Sequence, residues 1–191
     1  MAITEAARSS RTARKIDLVV VARPVGPLAH AIDAYRQAVA VRVGKNGAHC
    51  APPHCPLARC YSDHPSSVHL YQRALAATLQ ANRGHLVQPD AIVVALTTNR
   101  RWHGLEIQAP PLVAMAAEFV ARTTSPARGH HVRLEDSLRL VLAIDFETAD
   151  HEAVSELAHR IVDPSLPTEW EVGLWHRDYH EWGSVWRERA R

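Results

Sequence analysis

The sequence contains none of the long apolar segments that mark membrane proteins. Its apolar runs, such as residues 18–22 and 91–96, are far shorter than the roughly 18 residues that a membrane-spanning helix needs. Residues 1–14 carry several arginines, and no apolar segment follows them. We therefore expect a mobile basic N-terminal arm rather than a secretory signal, no membrane partner, and a cytoplasmic location.

Cysteine is scarce, and neither sign of charge dominates. The three cysteines, Cys50, Cys55 and Cys60, lie in one short segment that also contains histidines. An odd, clustered set favours free thiols or a metal over a disulfide framework, but the spacing matches no paired-cysteine zinc pattern. No metal or other cofactor is therefore predicted. The 22 basic and 20 acidic residues give a net charge of only +2, which is too balanced for a DNA-binding protein.

The chain has the composition of one globular domain. Hydrophobic residues make up 47% and charged residues 22% of its 191 residues, which is enough to form a hydrophobic core. We predict a single domain over residues 15–186 and a C-terminal tail over residues 187–191. The Trp- and Arg-rich segment before that tail either packs on the domain or stays exposed.

Apolar periodicity and turn residues divide the domain into ten elements. Strands are predicted at 15–23, 54–62, 90–97, 102–108, 137–146 and 170–176. Helices are predicted at 28–41, from Ser66 to residue 83, from Pro110 to the loop at 123–129, and from Asp150 to Pro164. The order βαβαββαβαβ, with two similar halves, predicts an α+β fold of two lobes around a shared groove rather than a doubly wound parallel sheet.

The segment PHCPLARCYSD places His54 at the start of a predicted strand that a capped helix follows. This segment resembles the first motif of the 2H phosphoesterase (LigT-like) superfamily, which reads His, any residue, Thr or Ser, then an apolar residue. The segments WHGLEIQAPPL, DSLRLVLAIDF and WEVGLWHRDYHEW extend the resemblance over roughly residues 16–186. They are most similar to the 2H-type domains of fungal proteins and of the ubiquitin-associated suppressors of T-cell-receptor signalling.

The resemblance implies a groove to which each lobe contributes one histidine from a strand. One imidazole takes a proton from the attacking hydroxyl, and the other gives a proton to the leaving oxygen. The Thr or Ser two residues further along points the same way and binds the phosphate. Typical reactions are the opening of cyclic phosphates and the trimming of RNA ends, without a metal.

The sequence departs from this pattern at three of the four motif positions. Pro56 stands at the first Thr/Ser position, and the second motif aligns best with Arg139 in place of His and Val141 in place of Thr or Ser. Arginine stays protonated at neutral pH and cannot shuttle a proton, although it can bind a phosphate. A different register would use His131 as the second histidine.

The candidate site therefore has two groups of residues. The candidate catalytic residues are His54, His131 and His176, and the candidate ligand-binding residues are Pro56, Trp102, His103, Arg139 and Val141. The expected function is a divergent 2H phosphoesterase-like hydrolase that acts on a small molecule, a nucleotide or an RNA end, with His54 as acid or base. Two alternatives stay open: a groove repurposed for a non-phosphate substrate, and a non-catalytic binding module.

Overall fold

The structure, a computed structural model, describes residues 15–83, 92–124, 132–178 and 181–190. These residues form eight strands, four α-helices and three short 3₁₀-helices. The strands are β1 (Ile16–Val25), β2 (Cys55–Asp63), β3 (Val93–Thr98), β4 (Trp102–Gln108), β5 (Val132–Leu134), β6 (Leu138–Ile144), β7 (Glu169–Asp178) and β8 (Glu181–Ala190). The helices are α1 (Pro27–Val43), α2 (Val68–Asn82), α3 (Pro110–Thr123) and α4 (His151–Ile161).

The strands form two sheets of unequal size. The larger sheet has five strands in the order β5-β2-β1-β7-β8, and the smaller has three in the order β3-β4-β6. Every adjacent pair of strands in both sheets is antiparallel. The α+β class predicted from the sequence is confirmed, and the two lobes differ in the number of their strands.

Each sheet is covered by a pair of helices on one face. Helices α2 and α3 pack together against the larger sheet, at β7 and β2, whereas α1 and α4 pack together against the smaller sheet, at β6 and β3. The apolar faces of all four helices contribute to one core, in which Tyr35, Leu75, Phe119 and Val154 are almost fully buried. Because strand side chains alternate in direction, the opposite face of each sheet is left for the groove.

Alternation is clearest on β1, where successive side chains point to opposite faces of the sheet. Leu18, Val20 and Ala22 belong to the main core, whereas Val19 and Val21 form a separate small cluster with Trp175 of β7. The second set marks the groove face of the larger sheet.

Two strands were not predicted from the sequence. The short strand β5 pairs with β2, and β8 pairs with β7 along its length. Strand β8 continues to Ala190, four residues beyond the domain end predicted at residue 186. The basic arm predicted at residues 1–14 lies outside the described residues.

Among the helices that the structure describes, none combines the length and the apolar character that crossing a membrane requires.

Candidate functional site

A groove of about 560 Å³ lies between the two sheets. The larger sheet contributes its β1 and β2 strands, the smaller sheet contributes β6, and the segment before β2 closes one wall. The lining residues are Asp17, Leu18, Val19, Gly47, Ala48, Ala51, Pro52, His54, Pro56, Arg59, Cys60, Glu135, Ser137, Arg139, Val141 and Ile144. The groove therefore brings together four residues that the sequence analysis singled out: His54, Pro56, Arg139 and Val141.

The alternation of side chains along two strands explains why these four residues meet. On β6 the leucines at positions 138, 140 and 142 are buried in the core, so that Arg139 and Val141 face the groove. At the start of β2, Cys55 and Leu57 are buried, and His54 and Pro56 line the groove instead.

The ring of His54 is oriented by a backbone carbonyl. Its Nδ1 atom lies 2.8 Å from the carbonyl oxygen of Pro52, and a carbonyl oxygen only accepts hydrogen bonds. Nδ1 therefore carries the proton of the neutral ring, and the basic lone pair lies on Nε2. Nε2 is the atom that can accept a proton from a substrate.

The surroundings of His54 favour its neutral form. Burial lowers the pKa of His54, and the positive charges of Arg59, Arg23 and Arg36 lower this pKa further. The hydrogen bond to Pro52 acts in the opposite direction and is outweighed. A histidine that is neutral at physiological pH can act as a base, and the same positive surroundings attract an anion.

Two tryptophan rings lie against basic side chains at or beside the groove. The His54 ring lies against Trp175 of β7, with their centroids 5.4 Å apart, and the guanidinium of Arg23 lies 5.4 Å from the Trp175 ring. On the other sheet, the guanidinium of Arg139 lies 5.5 Å from the ring of Trp102. Trp102 is thus beside Arg139, as a supporting residue, and is not among the residues that line the groove.

The two motif strands, β2 and β6, contact each other across the sheets. Cys55, next to His54 on β2, is fully buried, and burial raises the pKa of its thiol to about 12. The thiol donates to the carbonyl oxygen of Pro56, 3.7 Å away. Cys55 is therefore a neutral, buried neighbour of His54.

The groove lining combines polar and apolar side chains. The polar residues include Asp17 and Ser137 and an ion pair in which Arg59 Nε lies 2.5 Å from Glu135 Oε1. The apolar residues are alanines, prolines, a valine and an isoleucine, namely Ala48, Ala51, Pro52, Pro56, Val141 and Ile144. His54 and Arg139 belong to the same lining.

His103 does not lie in the groove. Its position on β4 is in phase with Leu105 and Ile107, which pack in the core, so its side chain lies on the helix-covered face of the sheet. There it is fully buried, with Nδ1 3.0 Å from the Tyr35 hydroxyl and Nε2 3.3 Å from Nδ1 of His151. The structure therefore gives no support to the ligand-binding role predicted for His103.

His176 is also on the wrong face for the groove. On β7 it is in phase with Val172 and Leu174, which belong to the main core, whereas Trp175 faces His54. The catalytic role predicted for His176 is thus not supported by its position, and alternation along the strand is again the reason. His131, the alternative second histidine, lies outside the described residues. His54 is the one histidine among the described residues that line the groove.

No group of three or more His, Cys, Asp or Glu side chains is placed to hold a metal ion in the described parts of the chain. The three cysteines are free thiols, with Cys50 exposed and the other two buried.

This architecture matches that of a known class of protein. The fold is that of the LigT-like 2H phosphoesterases: the crystal structure of Escherichia coli LigT complexed with 3′-AMP matches 92% of this chain and 98% of that chain, with a TM-score of 0.51 and 16% sequence identity. The resemblance inferred from the motifs is thereby confirmed at the level of the fold. No family model matches the sequence.

Two curated relatives match at the level of sequence. These are the ubiquitin-associated and SH3 domain-containing protein B of mouse and of human, each 28% identical to this chain over 165 residues. The match covers 85% of this chain and 25% of each relative. The chain therefore corresponds to about a quarter of the length of these larger proteins.

Proposed function

We propose that the groove binds the phosphate of a nucleotide or of an RNA end, and that the protein opens a cyclic phosphate there with His54 as its base. The observation that carries this proposal is the pairing of His54 with Arg139 on facing walls of one groove. His54 presents a basic Nε2 because its Nδ1 proton is donated to Pro52, and Arg139 supplies a permanent charge for a phosphate. The binding of 3′-AMP by LigT supports a nucleotide as the ligand.

The proposed reaction requires one base and one cation. Nε2 of His54 takes a proton from a water molecule, whose oxygen forms a new bond to phosphorus while the bond from phosphorus to one ribose oxygen breaks. The guanidinium of Arg139 binds the phosphate oxygens on which negative charge develops. The ribose oxygen takes its proton from solvent, since no second histidine lines the described part of the groove. The product is a phosphate monoester.

The residues of the 2H motif that this groove lacks set the expected rate of hydrolysis. A general acid or base typically contributes about 10²–10⁴ in rate, so a groove with His54 alone should be slower than a two-histidine enzyme by a factor of that order. Pro56 and Val141 offer no hydrogen-bond donor to the phosphate, which places more of its binding on Arg139. Replacing Arg139 by lysine should therefore weaken binding, because a lysine cannot make the two-pronged contact.

The test measures binding and turnover separately. Calorimetric titration with 3′-AMP and turnover of 2′,3′-cyclic nucleotides and of short RNAs ending in a cyclic phosphate would be compared for the wild type and for His54→Ala and Arg139→Lys. His69→Ala, which removes an exposed histidine of α2, is the matched control, and a chelator is added in parallel. We expect turnover to survive the chelator and the control substitution. It should fall at least 100-fold in His54→Ala. In Arg139→Lys both turnover and the affinity for 3′-AMP should fall.

Each other outcome has a definite meaning. Binding of 3′-AMP without turnover in the wild type would reject the hydrolase and leave a nucleotide-binding module. Full activity in His54→Ala would exclude His54 as the base. Neither binding nor turnover in the folded wild type would overturn the phosphate proposal altogether.

A second candidate function is favoured by one observation, the apolar part of the groove lining. Pro56 and Val141 occupy the positions where the 2H motif has hydroxyl groups, and 36% of the Val141 surface is exposed. The same groove could hold a less polar, carbonyl-bearing substrate and use His54 for proton transfer. Such compounds should raise the melting temperature of the wild type but not that of Val141→Asp. This result, together with no response of the wild type to 3′-AMP, would support this candidate over the first.

A further inference from the structure

We propose that Arg36, on the far side of the groove wall in α1, is a positioning residue that fixes the tautomer of His54. This inference deepens the proposed function, because it concerns the same base. Arg36 does not line the groove. It acts through the segment from Asn46 to Pro53, which forms one wall of the groove and leads directly into His54.

Arg36 holds this wall through both its side chain and its backbone. Its Nη2 atom donates to the carbonyl oxygens of Ala48, at 2.5 Å, and Ala51, at 2.7 Å. Its own carbonyl oxygen accepts a hydrogen bond from Nε2 of His49 at 3.0 Å. Nδ1 of His49 in turn accepts from the backbone N–H of Asn46 at 3.1 Å. One arginine thus fixes the wall at three points.

The other side of the wall is held against the smaller sheet. Oδ1 of Asn46 accepts from the backbone N–H of Ala48 at 3.0 Å and lies 3.5 Å from the backbone nitrogen of Ile144. Gly47 comes so close to the end of β6 that a Cβ there would lie 2.6 Å from Oδ2 of Asp145, the residue after this strand. The wall is therefore confined between α1 and β6, with little room to shift.

Two consecutive prolines carry this restraint from Ala51 to His54. Pro52 and Pro53 each have a φ angle locked near −65°, and a proline also restricts the residue before it to extended conformations. Once Arg36 fixes the Ala51 carbonyl, the direction of the Pro52 carbonyl one residue later is nearly determined. That carbonyl is the acceptor for Nδ1–H of His54.

The chemical consequence concerns which nitrogen of His54 is basic. With the Pro52 carbonyl held in place, the neutral ring keeps its proton on Nδ1 and presents Nε2 as the base. With the carbonyl free to turn away, both tautomers become populated. Arg36 also lowers the pKa of His54 through its charge, so charge and position must be separated in the test.

The test uses nitrogen-15 NMR of the histidine rings, with the His54 signals assigned by their loss in His54→Gln. Arg36→Lys keeps the charge, but its side chain is one bond shorter and cannot reach both carbonyls. Arg36→Met removes the charge as well. Arg42→Ala, which removes an exposed arginine in the last turn of the same helix, is the matched control.

We expect the wild type and Arg42→Ala to show the Nδ1–H tautomer of His54 and a pKa below that of an ordinary histidine. In Arg36→Lys the tautomers should mix although the charge is kept. In Arg36→Met they should mix as well, and the pKa should lie above that of Arg36→Lys because the positive charge that lowers it is gone. If cyclic-phosphate turnover is found, the acid limb of its pH profile should lie at higher pH in Arg36→Met than in Arg36→Lys.

Two results would overturn the inference. One is an Nε2–H tautomer of His54 in the wild type, and the other is an unchanged tautomer in Arg36→Lys. Because the NMR measurement needs no substrate, its failure is distinguishable from that of the proposed function: a protein that turns over no phosphate can still show the expected tautomer. If Arg36→Met does not fold, Arg36→Lys alone decides.

Discussion

The buried histidine of the smaller lobe should make the protein sensitive to mild acid. His103 is fully buried, between Tyr35 of α1 and His151 of α4, with the ring of Phe146 at 4.9 Å. Burial, together with the neighbouring His151 and His159, lowers the pKa of His103 to about 4. The folded protein therefore keeps His103 neutral at a pH where the unfolded chain would protonate it.

The magnitude follows from the difference between the two pKa values. In the unfolded chain the pKa of His103 is about 6.5, and in the folded protein it is about 4. Each unit of difference corresponds to about 1.36 kcal/mol, so the maximum effect is about 3 kcal/mol. Because the folded-state pKa is depressed, the stability that it contributes is present above about pH 6.5 and is lost as the pH falls towards 4. Between pH 7 and pH 4.5 the loss should be about 2 kcal/mol.

The assay is urea unfolding at several pH values between 7 and 4.5, comparing the wild type with His103→Gln. Glutamine can still hydrogen-bond to Tyr35 but does not titrate, so the free energy of unfolding of the variant should fall less steeply with acid. Taking the difference between the two curves cancels the common contribution of the carboxylates. His69→Gln, at an exposed position of α2, should behave like the wild type.

Parallel loss of stability in the wild type and in His103→Gln would refute this reasoning. If the variant does not fold, titration of the His103 ring by NMR in the wild type decides the question. A pKa near that of an ordinary histidine would then show that water reaches the ring.

Two further predictions follow from close packing and burial. Cys50 is exposed, whereas burial raises the pKa of both Cys55 and Cys60 to about 12. The thiolate is the form that reacts with thiol reagents. Such a reagent at pH 8 should therefore label one cysteine quickly in the folded protein and all three in urea. A Cβ at position 104 would lie 2.5 Å from the carbonyl oxygen of Leu140 on the neighbouring strand, so Gly104→Ala should lower the free energy of unfolding by roughly 1–3 kcal/mol, measured by urea denaturation.

Rapid labelling of two or more thiols without urea would contradict the first of these predictions. For the second, the φ of Gly104 is not positive, so an alanine there adds no backbone strain of that kind. An unchanged free energy of unfolding in Gly104→Ala would show that the neighbouring atoms give way and would contradict the prediction.

Much of the fold could be predicted from the sequence, because it follows from local patterns. The alternation of leucines in β6 and the helical spacing of Leu28, Ile32, Tyr35 and Val39 in α1 both correspond to buried faces in the structure. The short strand β5 and the long strand β8 were missed. A strand of three residues gives too few positions to show alternation, and the tail that forms β8 carries tryptophans and arginines in no clear apolar pattern.

The candidate site was predictable only where the phase of a strand was respected. Arg139 alternates with buried leucines, so its direction towards the groove could be predicted. His103 and His176 are predicted as site residues from the sequence, although His103 is in phase with Leu105, and His176 with Leu174. Applying the alternation rule to these two strands would have excluded both residues. The roles of Pro52 and Arg36 could not be predicted, because they depend on which carbonyl oxygens two distant segments bring together.

Each sheet is covered in part by a helix that follows a strand of the other sheet, and this has a consequence for folding during synthesis. Helix α1 follows β1 of the larger sheet but also packs on the smaller one, and α3 follows β4 of the smaller sheet but packs on the larger. Strand β1, near the start of the chain, hydrogen-bonds to β7, near its end. Neither lobe can bury its core from one half of the chain, and such contacts between distant residues slow folding. On the ribosome, the groove should therefore form only after β7 has emerged.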